Sequence, residues 1–366
     1  MKGAKALFLF VFLTSFAAFA DERSFYTVSE YMLKSPEQAW KFDNFANIVR
    51  SEPVPLKSVN TTPVKIAVVY PALQSSDYWR RSERALKKRL SELNINYTLL
   101  TYHSKPSGDT RLQVSQLAQA ASAGADFIIV SADSPQMRSA VGRLLFEGRH
   151  KIIIQNLTTP LKEWERRRPL LYTGFDHISG SAVLADSAAS MAGQNASYAV
   201  LNCSEGEVGY LRTKGFEERL AERGEYAKKA EYITDFNLEK ARAATREIIK
   251  KYPDISFIFA CSTDIALGAA EALQNAGAEN VILNGWGGGE AELRLIERGE
   301  LDFTVMRMND DSSIAAAEAV KLVISGMEKE VPVIFSGDFS LITASDSAEK
   351  IKELKKKAFR YSGENE

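Results

Sequence analysis

The chain has 366 residues and a formal net charge of −1, from 46 Lys plus Arg against 47 Asp plus Glu. That balance lacks the electrostatic footprint of a general nucleic-acid binder, and 45% hydrophobic with 25% charged residues excludes a disordered or fibrous chain. The length favours two domains over a single core, and two cysteines with three histidines leave little material for a metal cluster, so no metal site is expected.

Residues 1–20 read as an export signal. Lys2 and Lys5 precede an apolar run from Ala6 to Phe16, and Ala18-Phe19-Ala20 offers small residues for cleavage before Asp21. The run is too short to span a bilayer comfortably, and no later stretch resembles a membrane span, so an exported soluble protein is expected. Export gives Cys203 and Cys261 an oxidising surrounding. Both follow apolar runs that read as strands, so a bridge between strand ends is conceivable, with two buried thiols the default.

Residues 21–61 form an extension expected to wrap one face of the body. Ser35-Pro36-Glu37-Gln38 combines an N-cap, Pro at the first helical position and Gln at the third, predicting a helix to about Val49; Pro53, Pro55 and Pro63 then forbid regular structure. From Lys65 short apolar runs with the look of buried parallel strands (Lys65–Tyr70, Asn96–Tyr102, Asp126–Val130, Lys151–Asn156) alternate with helical periods at Tyr78–Leu93, Asp109–Ala123 and Gln136–Glu147. A second series follows, with strands at Tyr198–Cys203, Lys229–Thr234, Ile255–Ala260, Val281–Gly285 and Asp302–Arg307. Its helices lie near Tyr210–Arg223, Leu238–Lys251, Thr263–Ala276 and Glu290–Arg298. Such alternation means right-handed βαβ units. The fold class expected is α/β, two doubly wound parallel-sheet lobes joined near Leu171–Asp176, with a small molecule held in the cleft beyond the strands' carboxyl ends.

The strand ends carry the candidate chemistry. After the first strand come Gln74 and Ser76, which offer side-chain hydrogen bonds, and Trp79, a flat wall; equally, Ser76 or Asp77 caps a helix and Trp79 packs in the core. Asn156 ends another strand and either binds a polyol or makes an Asx turn, and Thr263 either caps its helix or binds. Gly285-Trp286-Gly287-Gly288-Gly289 departs from a dinucleotide fingerprint because Glu290 takes the sixth place, and it follows a late strand. Those glycines are expected to turn the backbone while presenting Trp286 to the cleft. Arg212, read as lying at a helix start against the macrodipole, and Arg307, at an apolar strand's end, lack obvious acidic neighbours and suggest an anionic, oxygen-rich ligand. His103, His150 and His177 are scattered and none adjoins a nucleophile in a known motif, so an enzyme is not expected.

The segments KIAVVYPALQSSDYW, IIQNLTTP, YTGFDH, ACSTDIALGA, NGWGGGEAEL and TVMRMNDD, with the ending KKKAFRYS, resemble the LuxP family of periplasmic autoinducer-2 receptors, within the type I periplasmic sugar-binding proteins. The resemblance runs from about Tyr26 to Ser362. It implies a periplasmic location, a multi-strand hinge, and lobes of residues 62–172 plus 308–338 and of 173–307 plus 339–366. It also implies quorum sensing: binding of autoinducer-2 as a furanosyl borate diester and regulation of a membrane sensor histidine kinase of the LuxQ type. Boron would be part of the ligand and no separate cofactor is implied. The ligand contacts implied are Gln74, Ser76, Trp79, Asn156, Arg212, Thr263, Trp286 and Arg307; the stretch SEGEVGYLRTKGF around Arg212 departs from the pattern. A sugar-binding protein delivering a pentose or hexose to a transporter is the competing expectation.

Overall fold

The computed structural model describes residues 24–363; the expected export signal lies outside the described residues. The extension opens with a helix that periodicity did not suggest, α1 (Val28–Lys34), whose start is secured by a reciprocal capping box between Thr27 and Glu30. The expected helix follows as α2 (Glu37–Arg50), but Pro36 itself takes the cap position and makes no side-chain cap bond, so Ser35 is not the cap.

The body begins with β1 (Val64–Tyr70), α3 (Tyr78–Glu92), β2 (Tyr97–His103), α4 (Thr110–Ser122), β3 (Phe127–Val130), α5 (Pro135–Glu147), β4 (Lys151–Gln155) and β5 (Leu171–Gly174). It continues through α6 (His177–Ala192), β6 (Ser197–Asn202), α7 (Glu207–Arg223), β7 (Ala227–Ile233), α8 (Leu238–Lys251), β8 (Phe257–Ala260), α9 (Thr263–Ala276), β9 (Ile282–Gly287), α10 (Glu290–Glu297) and β10 (Phe303–Arg307). The last elements are α11 (Asp311–Ile324), β11 (Ile334–Ser336), β12 (Phe339–Thr343) and α12 (Ala348–Ala358).

Two six-stranded sheets result, in the orders β11-β5-β4-β3-β1-β2 and β12-β10-β9-β8-β6-β7. Every pair is parallel except β10 with β12. The nine apolar runs read from the sequence are β1–β4 and β6–β10, while β5, β11 and β12 are strands that reading does not contain; β3 and β8 are buried along their whole length because helices cover both faces. Each sheet reverses its strand order once, between β1 and β3 and between β6 and β8, and these switch points face each other.

Three chain crossings join the lobes, at 175–176, 308–310 and 337–338, and they bond to one another. Met308 N–H donates to Asp338 O at 2.8 Å, Gly337 N–H to Gly174 O at 2.8 Å, and Asp176 N–H to Ser336 Oγ at 3.1 Å. The lobe boundary expected after residue 172 falls inside β5, all of which pairs in the first sheet. The chain end, expected in the second lobe, also reaches the first: Arg81 stacks on Phe359, Arg89 donates to Tyr361 Oη, and Asp310 accepts from the backbone N–H groups of Tyr361 and Ser362.

Candidate functional site

Between the facing switch points lies a cavity of about 350 Å³, walled by the segments that follow β1, β2, β3, β4, β6, β7 and β8 and by the ends of β9 and β10. All eight residues singled out in the sequence line it.

From the first lobe, Gln74 sits in the loop after β1, its Nε2 donating to Pro71 O at 3.0 Å. Ser76 Oγ accepts from Tyr78 N–H at 3.4 Å, so it supports the start of α3 and lines the cavity as well. Trp79 is almost wholly buried, its ring 4.7 Å from both Tyr70 and Tyr78. Asn156, one residue past β4, adopts a left-handed backbone (φ 71°), a conformation Asn tolerates better than most residues. The turn is possible because Gly174 lies beside it: a Cβ there would stand 3.0 Å from the Asn156 backbone. The Asn156 Oδ1 is buried with no protein partner, on a residue that lines the cavity.

The second lobe supplies Arg212, Thr263, Trp286 and Arg307. Arg212 is the sixth residue of α7, because the helix starts at Glu207, three residues earlier than the periodicity suggested; the argument from a helix start therefore does not apply to it. Its guanidinium lies 3.7 Å over the Trp286 ring, donates from Nη1 to Cys261 O at 2.7 Å and from Nε to His177 Nδ1 at 3.3 Å. Thr263 is the first residue inside α9 and Ser262 holds the cap position, so Thr263 is not the cap. Trp286 lies inside β9, not in a turn; the bend comes at Gly287 (φ 146°) and Gly288 (φ 65°), and the indole is fixed by Nε1 donating to Ser181 Oγ at 2.9 Å. A Cβ at Gly287 would stand 2.8 Å from Arg307 Nη2, so a side chain there would displace the guanidinium.

Arg307 closes β10 and is 5% exposed. Its guanidinium carbon stands 4.1 Å over Tyr78, 5.5 Å over Trp286 and 5.8 Å over Phe175, a cage of aromatic faces. Among the described residues it forms no ion pair, and its buried Nε has no hydrogen-bond partner. Burial pulls its pKa from 12.5 down to about 10, and the charge on Arg212 pushes the same way. Arg307 is therefore cationic at neutral pH and under-compensated by the protein. Two guanidiniums thus share one indole at the wall of one cavity.

Several participants escaped the sequence reading. Asp133, in the loop after β3, also lines the cavity and feels Arg212, so acidic groups are nearer than expected, although none pairs with either arginine among the described residues. Asp133 instead reaches across to the second lobe, accepting from Val208 N–H at 2.7 Å and Ser204 Oγ at 3.1 Å. Asp264, from the second lobe, returns the contact: its carboxylate accepts from Ser75 N–H at 2.8 Å and Ser76 N–H at 3.1 Å. Glu207 forms a third link, pairing with Arg138 at 2.7 Å and accepting from Thr159 Oγ1; burial raises its pKa to about 7 against the pull of Arg138. These contacts link the two lobes beside the cavity. Asp133 and Asp264 occupy the same strand-end positions that flagged Asn156 and Thr263 and were findable by that rule; Glu207 left no such signal.

Cys203 and Cys261 are both free and buried. The described residues hold no group of three His, Cys, Asp or Glu placed to bind a metal, and no described helix is long and apolar enough to cross a membrane.

The profile of the periplasmic binding protein domain matches residues 66–328. This chain belongs to the periplasmic binding protein domain family. Members of this family are solute-binding proteins and not enzymes, and the two-lobed α/β fold described above is theirs. The ribose import binding proteins of Salmonella typhimurium and Escherichia coli are 26% identical over 168 residues, which is 46% of this chain; the match spans 56% of those relatives' length. Among solved structures, a periplasmic solute-binding protein of an ABC transporter from Actinobacillus succinogenes with bound D-allose is 23% identical, with a TM-score of 0.68 over 80% of this chain and 100% of its own. The glucose-galactose binding protein of Geobacillus stearothermophilus is 19% identical, with a TM-score of 0.70 over 79% of this chain and all of its own. A chain of the XylFII–LytSN complex superposes with a TM-score of 0.68 at 17% identity, over 78% of this chain and all of its own. At these identities the structural likeness speaks for the fold.

Proposed function

We propose that this periplasmic binding protein acts in the periplasm as a receptor for a small, oxygen-rich cyclic ligand of the sugar type, held in the cavity between its lobes. Kinship favours a neutral pentose or hexose handed to a transporter, since the curated relatives are ribose import proteins and one fold neighbour holds D-allose. The charge of the cavity favours an anionic ligand. The observation that carries this is Arg307: a buried guanidinium with an empty Nε and no carboxylate, sharing Trp286 with Arg212. Burying such a charge is costly unless a partner arrives, and a ligand that brings a negative charge supplies one. A neutral sugar does not.

The furanosyl borate diester of autoinducer-2, which the LuxP resemblance implies, meets both requirements. Its tetrahedral borate carries a full negative charge for Arg212 and Arg307. Its hydroxyl and ether oxygens meet Asn156, Gln74, Ser76 and Thr263, and Trp79 and Trp286 cover the ring and exclude water. Since the donors come from both lobes, binding favours the shut arrangement. On this reading the shut form is what a sensor histidine kinase of the LuxQ type reads in its periplasmic domain; a fold neighbour solved as the XylFII–LytSN complex is consistent with a binding protein of this shape docking on a second protein.

Titration calorimetry distinguishes the two ligands: ribose, allose and galactose are compared with autoinducer-2, the latter with borate added and with borate depleted. Binding that requires borate supports the anionic reading; tight binding of a plain sugar with indifference to boron establishes the transport reading in its place.

A further inference from the structure

Behind the cavity wall, outside the lining, lies His177, the first residue of α6 and the point where the chain has just crossed from the first lobe to the second. Its side chain is 1% exposed and touches three of the residues that do line the cavity. Nε2 lies 2.7 Å from Asn156 O, Nδ1 lies 3.3 Å from Arg212 Nε, and the ring centre stands 5.1 Å from that of Trp286. A carbonyl only accepts and a guanidinium only donates, so the two bonds fix one tautomer: Nε2–H donates to Asn156 O, and the Nδ1 lone pair accepts from Arg212.

Resting on the reading of the cavity as an anion-accepting sugar-type site, we propose that His177 is a positioning residue: a neutral imidazole that sets Arg212 and Asn156 at their working separation across the lobe boundary. Asn156 needs such a hold, because its left-handed backbone is strained and its carbonyl would otherwise be buried without a partner. Arg212 needs it because Nη1 is already committed to Cys261 O, and the bond at Nε then fixes the plane of the fork against Trp286. An imidazolium cannot serve. It has no lone pair at Nδ1 and would set a third positive charge beside two guanidiniums. The charged groups facing His177 are Arg212 from α7 and Arg307 from β10, both cationic; from β9 it meets the neutral indole of Trp286, and from the loop after β4 the Asn156 carbonyl. Burial, then Arg212, then Arg307 hold its pKa well below the usual value of 6.5, against the opposing pull of the Asn156 carbonyl.

The test compares wild type with His177→Gln, His177→Met and His177→Ala by calorimetry between pH 5 and 8, using autoinducer-2 with added borate and, in parallel, the best plain sugar. Gln can donate and accept in one neutral side chain, while Met fills the space and does neither. The expected result is a loss of about 10- to 100-fold in affinity for Met and Ala, the scale of unpairing buried polar groups, with Gln within about fivefold of wild type. Because the ring is held neutral until well below its usual value, wild type and the Gln variant should share one pH profile from pH 8 down to 6.5. Imidazole ¹⁵N shifts of the ligand-free protein at pH 7 should report a neutral ring with the proton on Nε2. A charged ring, or Met and Gln variants that bind alike, overturns the inference even where wild type binds the borated ligand. If wild type binds only a plain sugar, the anionic reading fails while the comparison of Gln with Met against that sugar still decides the role of His177; if wild type binds neither, the inference falls with the reading on which it rests.

Discussion

Replacing Arg307 with methionine should move stability and binding in opposite directions. The lowering of its pKa from 12.5 to about 10 means that the fold carries the charged guanidinium at a penalty of about 3 kcal/mol, at about 1.4 kcal/mol per pKa unit. Against this stand its contacts with the faces of Tyr78 and Trp286, worth about 1–2 kcal/mol for a desolvated cation. Methionine matches the apolar stem and suits an aromatic cage. The ligand-free variant should therefore be about 1–2 kcal/mol more stable than wild type, a rise of a few degrees in melting temperature. The same change removes a buried charge-assisted donor, where the loss is about 2–5 kcal/mol, or about 30- to 5,000-fold in affinity for an anionic ligand. Scanning calorimetry of the ligand-free protein and isothermal titration with borated autoinducer-2 read the two halves separately. A variant that melts below wild type would mean that the guanidinium braces the fold. A variant that binds as tightly as wild type would mean that the anion sits elsewhere.

Three further outcomes are expected. Asp264→Asn weakens the carboxylate that spans two N–H groups of the opposite lobe, so stopped-flow release of bound ligand should accelerate by about 10- to 150-fold, at about 1.5–3 kcal/mol for a charged hydrogen bond; an unchanged release rate would show that this contact does not hold the lobes shut. Glu207→Gln should flatten the pH dependence of stability. A carboxyl raised from 4.5 to about 7 holds its proton more tightly in the fold than in the unfolded chain, so its contribution is full below pH 4.5 and about 3 kcal/mol is lost as pH climbs to 7; melting temperatures of variant and wild type that track in parallel across that window would refute it. Gly287→Ala forces a Cβ against Arg307 Nη2 in a backbone conformation that L side chains avoid, and should cost more than about 1 kcal/mol of stability as well as most of the binding; a stable variant with intact affinity would show that Arg307 need not stand where it does.

The strands and the two-lobed alternation were legible because a buried parallel strand has no polar face to blur its pattern, as FIIV at β3 and FIFA at β8 display. The strand-end rule located the cavity for a similar reason: it depends on sheet topology alone. The rest depended on three-dimensional accidents. α1 is seven residues long, too short for a period to emerge, and is declared only by Thr27 and Glu30. The early start of α7 was hidden because Gly206 holds the cap position with no side-chain bond to announce it. His177 looked like one of three scattered histidines, since its partners lie 21 and 35 positions away in the chain. The cross-lobe carboxylates faced the same obstacle: Asp264 meets residues 188 and 189 positions distant.

The N-terminal extension ends up across the seam between the two lobes. Phe25 bridges to Leu161 and the neighbouring Tyr26 N–H bonds to Pro160 O, both in the first lobe, while the Phe25 ring meets that of Tyr210 on α7, in the second, edge-on at 6.0 Å. This strap grips across the seam without lining the cavity. Opening the jaws would part those two rings, so the resting balance between gaping and shut forms depends on a tether as well as on what fills the mouth. Two proteins with identical pockets could then respond at different solute concentrations through the strap alone, and sensitivity becomes adjustable at an address where selectivity is untouched.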